Sequence, residues 1–278
     1  MNSVENIHST QVRPGRLALL DEIRGITLIN MILYHFLWDL VYIAGMDIPW
    51  YHGHGAYIWQ QSICWTFIFL SGFCWPFGRH HLKRGLTVYL AGGLVTVVTL
   101  LFLPEDRVVF GVLTLIGSSM LLMIPMDKVF QTIKNRPVLV FLTVLTGFLF
   151  LLFLPAMNGR LGNFVELWRG GAFFQGGPRL PKELYCSWFS TYLGFPMADF
   201  YSTDYFPLIP WFFLFMTGYF FHKLCEHELC LGGLSASFLQ KNHLPPFSFI
   251  GRHSLLIYML HQPVLYGITM AIIYARAN

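Results

Sequence analysis

The sequence predicts an all-α fold, a polytopic membrane helix bundle with about seven or eight transmembrane helices. Hydrophobic residues make up 55% of the 278-residue chain and charged residues only 12%, which is too little charge to cover the surface of a soluble domain. Apolar runs close to the roughly 20 residues that cross a bilayer as a helix recur along the whole length. Both observations indicate an integral membrane protein, so we expect the lipid bilayer as a partner and no nucleic acid.

Seven segments carry the predicted spans in order along the chain. They cover residues 17–44, 57–77, 85–103, 108–125, 138–155, 207–221 and 254–274. Residues 1–16 are predicted to form a cytoplasmic N-terminal tail and residues 17–278 one membrane domain. Within it, glycines, prolines and aromatics predict a long extracytoplasmic loop over about 156–204, with a short re-entrant or surface helix near 184–193 as an eighth helix. Residues 225–249 are predicted to form a cytoplasmic loop.

The distribution of Lys and Arg predicts the orientation, because basic residues are retained on the cytoplasmic side. With the N-terminus inside, the short loop between the third and fourth spans holds only Arg107. The inner segments then hold Arg13, Arg16, Arg79, Lys83, Arg84, Lys128, Lys134, Arg136, Lys223, Lys241 and Arg252. We therefore predict the N-terminus inside and the C-terminus outside.

The first span carries ionisable side chains along one face. At roughly 100° per residue, Asp21, Arg24, His35 and Asp39 fall within an arc of about 60°. A charge facing lipid costs roughly 2.5 to 3.5 kcal/mol, so this face is expected to line the bundle interior. Asp39 follows His35 by one turn, at the spacing where its carboxylate can orient the imidazole. Alternatively, Asp21 and Arg24 cap and anchor the helix at the interface. His35 and Asp39 would then bond to each other only to stabilise the structure.

The last span repeats the pattern with Ser254, Tyr258 and His261 on one face and Arg252 at its inner end. His261 is predicted to lie about 10 Å into the membrane, since it follows Ser254 by two turns. Two histidines in separate spans, His35 and His261, are thus candidates to converge in one polar chamber. Alternatively, His261 bonds a carbonyl and only stabilises helix packing.

Further candidates lie outside these two spans. Asp204 precedes a predicted helix start, where the dipole favours a carboxylate, yet its outward position also suits a substrate contact. His52 and His54 form an HxH pair, but two ligands are not a metal site, and we expect no metal. The run "RHHLKR" at residues 79–84 is either a topology anchor or a phosphate-binding cluster. The cysteines, Cys64, Cys74, Cys186, Cys225 and Cys230, contain no CxxC pair and predict neither zinc nor disulfides.

Several blocks in order carry a family resemblance. "DEIRGITLINMILYH" resembles the R-x10-H motif of integral-membrane acyltransferases. Together with "FIFLSGF", "VVFGVLTLIGSSMLL", "DYFPLIPWFFLFMTGYF" and "FIGRHSLLIYMLHQPVL", it is similar to the bacterial branch of the heparan-α-glucosaminide N-acetyltransferase catalytic-domain family. The resemblance implies transmembrane transfer of an acetyl group from cytoplasmic acetyl-CoA to an amino or hydroxyl group of an extracytoplasmic acceptor, often a sugar or glycan. It also makes a homodimer plausible.

The resemblance implies roles for the candidate residues. His35 would be the general base that Asp39 orients, and His261 or Tyr258 would donate to the thioester oxygen. The lysosomal members have Asn at the position of His35 and a His in the loop after the first span, so His54 or His52 is the alternative base. The CoA-binding candidates are Arg24, Arg79, Lys83, Arg84, Arg252, Ser254 and Tyr258. The acceptor-binding candidates are Asp204, His52 and Trp211.

Two other function classes stay open at this stage. A b-type cytochrome could use His35 and His261 as axial haem ligands. A small-molecule transporter could use the same chamber for passage, although no matching pair of interrupted helices appears in the two halves.

Overall fold

The computed structural model describes residues 17–164, 177–230 and 239–277. The predicted tail 1–16 and two stretches predicted as loop, 165–176 and 231–238, lie outside the described residues. Within the described residues the fold is helical, with the single bridge between Arg160 and Arg179 as its only strand-like pairing. The helices are α1 Ala18–Tyr42, α2 His54–Cys74, α3 His81–Phe102, α4 Val112–Phe130, α5 Arg136–Phe153, α6 Trp188–Leu193, α7 Leu208–Cys230, α8 Pro245–Arg252 and α9 Ser254–Ala277.

The polytopic helix bundle is confirmed. Among the described residues, 6 helices are long and apolar enough to cross a membrane, namely α1, α3, α4, α5, α7 and α9. The remaining predicted span is also a helix, α2, whose adjacent Gln60 and Gln61 lower its hydropathy. This helix packs between α1 and α7 and contributes Ile63 and Ile68 to buried clusters.

Several helices are longer than the spans predicted for them, because a helix can continue past the apolar run that defines a span. Helix α3 begins at His81 rather than residue 85, so most of "RHHLKR" forms its first turn. Helix α7 extends to Cys230, and Pro245 and Pro246 begin α8 instead of only interrupting a loop. Proline is favoured in the first turn, where its missing N–H costs nothing. The predicted short helix near 184–193 is a 3-10 turn followed by α6.

Helix α8 is held against α1 by close backbone contact and one buried carboxylate. A Cβ on Gly25 would lie 2.0 Å from the Phe247 carbonyl oxygen, so only glycine permits this approach. Glu22 is 1% exposed, and its Oε1 accepts hydrogen bonds from the N–H groups of His243 at 2.6 Å and Leu244 at 3.0 Å. A carboxylate at a helix start satisfies orphan donors and the dipole. Glu22 therefore fixes the start of α8.

Consecutive long helices run in opposite directions, which gathers their termini at two ends of the bundle. Where α2 ends and α1 and α3 begin, the Arg24 guanidinium lies within hydrogen-bonding reach of the Cys74 thiol, and the Arg84 guanidinium lies against Gly78. We call this the basic end. At the opposite end, the backbone of residues 107–110 pairs with residues 203–206.

Candidate functional site

The structure brings His35 and His261 together. Their ring centroids lie 5.0 Å apart in an edge-to-face arrangement between α1 and α9. Counting along α1 from Arg24 predicts His35 in the outer half of the membrane, whereas counting from Ser254 predicts His261 short of the midplane. These two predicted depths are wrong as a pair, because rings in contact lie at one level of the bundle. The turn at His253 and the packing of α8 beside α1 shift the start of α9, which spacing from Ser254 alone does not reveal.

Asp39 is fully buried beside the histidine pair, but its partner is not His35. Its Oδ1 accepts a hydrogen bond of 2.9 Å from Nε2 of Gln262, and the side chain is 0% exposed. The predicted bond between His35 and Asp39 is therefore replaced by a bond between helices. Gln262 was missed by the sequence analysis, although an amide in an apolar span, next to His261, is itself a signal of a polar contact between helices.

Three polar atoms of this cluster have no hydrogen-bond partner within the part of the chain that the structure describes. They are Oδ2 of Asp39, Nε2 of His261 and Oε1 of Gln262, and all three are buried. An unpaired buried polar atom costs about 1 to 3 kcal/mol, so buried polar atoms normally have partners. Hydrogen-bonding capacity is therefore concentrated at one place between α1 and α9, as expected of a ligand site.

The His261 ring has a defined tautomer. Its Nδ1 contacts the backbone carbonyl oxygen of Tyr258, and because a carbonyl only accepts, Nδ1 must be the donor. In the neutral ring, Nε2 then carries a lone pair, and this is the unpaired atom. The carbonyl bond that sequence analysis offered as a purely structural role is present, and it leaves the second nitrogen available as a base.

The Tyr258 ring lies next to that of His261, with centroids 5.2 Å apart, and the residue also borders α3 and α4. Its side chain and that of Asp204 line a gap of about 10 Å³ with Gly92, Gly111 and Val112. Asp204 Oδ2 accepts a hydrogen bond from the Val112 N–H at 3.4 Å. It therefore caps α4 rather than α7, the helix that it precedes in sequence.

Asp204 lies outside the membrane-spanning segments and gives a pH-dependent contribution to stability. Burial raises its pKa from 3.8 to about 6, and the Val112 hydrogen bond opposes this shift only in part. The folded state thus binds the proton more tightly than the unfolded state. The contribution of the Asp204 carboxyl group to the stability of the folded state is therefore complete below about pH 4. It is lost as the pH rises through about 6.

We therefore expect the melting temperature of the wild type to fall relative to that of Asp204→Asn as the pH rises from about 4 to 6. Above pH 6 the difference between the two melting temperatures should stay constant. Thermal unfolding in detergent across this range measures it. The comparison variant is Asp199→Asn, which removes an exposed carboxyl group from the same loop. A difference that rises over this range would contradict the assignment.

The candidate donor-binding residues gather at the basic end. Arg24 is half-buried and its Nη1 lies 3.3 Å from Oδ1 of Asp21. Arg252 Nη2 donates to Ser248 Oγ at 3.1 Å, and Ser254 is half-buried at the start of α9. The remaining candidates, Arg79, Lys83 and Arg84, are exposed.

Three other candidates lie away from the histidine pair. His54 is exposed and stacks on Tyr57. His52 is exposed and its Nδ1 lies 3.5 Å from the Tyr42 hydroxyl. Trp211 is 5% exposed and packs against aromatic rings in the core. Within the described part of the chain, no three His, Cys, Asp or Glu side chains are grouped as metal ligands.

Comparison with known families identifies the family of the chain. The model of the family described as heparan-alpha-glucosaminide N-acetyltransferase, catalytic, matches residues 16–263, a range that includes His35, Asp39 and His261. The resemblance drawn from the sequence is thereby confirmed. Neither the curated proteins nor the solved structures contain a match to the chain.

Proposed function

The chain belongs to the heparan-alpha-glucosaminide N-acetyltransferase catalytic family, a family of membrane acetyltransferases, and on this basis we propose its donor and acceptor. The donor is acetyl-CoA, used from the cytoplasmic side. The acceptor is an amino or hydroxyl group of a sugar or glycan on the far side of the membrane. The N-terminus is inside, and the membrane is a bacterial cytoplasmic membrane.

The observation that carries the proposal is the contact of the half-buried His35 ring with the buried His261 ring, whose Nε2 has no partner among the described residues. An amine attacks a thioester only when neutral, and a hydroxyl must lose its proton as it attacks. A lone pair at His261 Nε2, beside the His35 ring, provides an acceptor for that proton. As the new bond to the acetyl carbon forms, the carbon–sulfur bond breaks and CoA leaves as the thiol, taking up one proton.

The resemblance implies His35 as the general base, whereas the geometry favours His261 in that role. The Tyr258 carbonyl fixes His261 with Nε2 unprotonated in the neutral ring, which suits a base better than a donor to the thioester oxygen. His35 then acts with it as the second member of the pair. Asp39 follows His35 by one turn of α1 and is held by Gln262, so its role in this scheme is to join α1 to α9 next to these residues.

The basic end supports acetyl-CoA as the donor. Its side chains Arg24, Arg79, Lys83, Arg84 and Arg252 supply positive charge where the phosphates would bind. Their distribution also supports the orientation, since this end would face the cytoplasm.

Replacing Arg24 tests donor binding. We expect Arg24→Ala to weaken acetyl-CoA binding by about 1.5 to 3 kcal/mol, because a charge-assisted hydrogen bond is lost. Isothermal titration of the purified protein measures this. Arg276→Ala, which removes an exposed charge from the last turn of α9, should leave the affinity unchanged. Equal affinities in both variants would exclude Arg24 from the donor site.

Transfer itself is tested with acetyl-CoA labelled in the acetyl group and a panel of amino sugars and glycans. Label in an acceptor supports the proposal. If no member of the panel is labelled, only the family and the fold of the protein remain supported.

An absorbance scan of the purified protein tests the cytochrome alternative, for which a strong Soret band would overturn the transferase assignment. Direct contact of the two rings disfavours that alternative, since axial ligands stand on opposite faces of a haem.

A further inference from the structure

A cavity of about 570 Å³ lies at the basic end, away from the histidine pair. It is enclosed by the ends of α2, α4 and α7 and the beginnings of α3 and α5, and Trp75, His81, Lys134, Tyr219 and Lys223 line it. Ligand pockets typically measure about 300 to 1,000 Å³. Of these five residues only His81, in the run at residues 79–84, belonged to a site predicted from the sequence, because the five become neighbours only when five helix termini meet.

The cavity offers two lysines without ion-pair partners. Neither Lys134 nor Lys223 forms a salt bridge with a residue in the described ranges. Asp127 also lines the cavity, but its carboxylate oxygens accept hydrogen bonds from the Tyr219 hydroxyl and the Gln131 side-chain amide. Glu226 lines the cavity as well. Asp127 is held by neutral donors, and neither lysine is ion-paired with an acid among the described residues, so the lysine charges remain available to a ligand.

Two histidines also line the cavity, and each has a buried ring nitrogen without a hydrogen-bond partner among the described residues. His222 is 5% exposed, and its Nδ1 is buried without a partner. His81 also has a buried, unpaired Nδ1, and its ring stacks on Trp75 with centroids 3.9 Å apart. Buried unpaired polar atoms call for an explanation such as a ligand. Here they lie in the same wall as the two lysines.

Packed side chains separate this cavity from the histidine pair. Trp75 and Tyr219, in the cavity wall, belong to the main hydrophobic core, which also contains Leu115 and Phe215 and against which Tyr258 of α9 packs. A ligand in the cavity therefore occupies a different place from an acceptor at His35 and His261.

We propose that this cavity binds a phosphate ester, with Lys134 and Lys223 as its anion contacts. Two sources share that chemistry: the headgroup of an anionic phospholipid, since basic pockets between membrane helices bind such headgroups, and the nucleotide phosphates of acetyl-CoA. The second source rests on the proposed function, whereas the first does not.

Binding measurements on the full-length protein test the site and distinguish the sources. The probes are phosphatidylglycerol, supplied in nanodiscs against a phosphatidylcholine background, and coenzyme A without its acetyl group. The test variant is Lys134→Ala with Lys223→Ala. The control is Lys128→Ala, which removes a charge at the same end of the bundle from an exposed residue outside the cavity.

We expect the double variant to lose at least about tenfold in affinity for one probe, as loss of a charge-assisted contact implies, while the control binds both normally. Loss for phosphatidylglycerol alone identifies the headgroup, and loss for coenzyme A alone identifies the nucleotide. Unchanged affinity for both probes would overturn the proposal. Because the readout is binding, this result is independent of whether acetyl transfer is detected.

Discussion

His35→Ala is expected to lower the rate of acetyl transfer by about 10²- to 10⁴-fold, the usual contribution of general acid–base catalysis. The physical reason is the direct contact between the His35 and His261 rings: removing either ring removes half of the pair that handles the acceptor proton. Acetyl-CoA affinity should be kept, because the residues proposed for the donor lie at the basic end. Turnover with labelled acetyl-CoA and a separate titration of acetyl-CoA measure the two quantities.

The loop histidines provide the matched controls for this prediction. His52→Ala and His54→Ala remove exposed imidazoles away from the pair and should leave turnover nearly unchanged. His261→Ala should resemble His35→Ala. If His54→Ala abolished transfer while His35→Ala retained it, the base would lie in the loop after α1, as the lysosomal pattern suggests. A large fall in acetyl-CoA affinity in His35→Ala would instead indicate a structural role.

The first helix shows how much of the site could be predicted from sequence. Ionisable residues in an apolar span must face inward, because the cost of exposing them to lipid does not depend on the details of the fold. Periodicity then selects the shared face of Arg24, His35 and Asp39. The structure has Asp39 fully buried and Arg24 half-buried, as that argument requires.

The partners of these residues could not be predicted in the same way. The contact between His35 and His261 depends on the position of α9 along α1, which is set by α8 and its cap, Glu22. The bond from Gln262 to Asp39 depends on the rotation of α9, and no periodicity within α1 carries that information. The cavity at the basic end depends on five helix termini, and termini are where sequence patterns are weakest.

Close helix contacts in the core depend on glycines that the sequence analysis did not single out. A Cβ on Gly72 of α2 would lie 1.9 Å from the Phe215 carbonyl oxygen of α7, and one on Gly218 of α7 would lie 2.2 Å from the Phe69 carbonyl oxygen of α2. Each helix thus presents a glycine to the backbone of the other. Small residues at helix contacts are the usual means of close approach in membranes.

Gly72→Ala is therefore expected to destabilise the protein by about 3 kcal/mol or more, at or above the upper end of typical overpacking effects. The methyl group meets backbone, which cannot rotate away as a side chain can, so α2 and α7 must separate along the interface that contains Phe215. Gly267→Ala is the control: it is also a helical glycine, but a Cβ there has nothing within 4 Å, and alanine should stabilise α9 by up to about 1 kcal/mol. Thermal unfolding in detergent compares the two. Equal melting temperatures for these variants would mean that α2 and α7 do not pack backbone to backbone at Gly72.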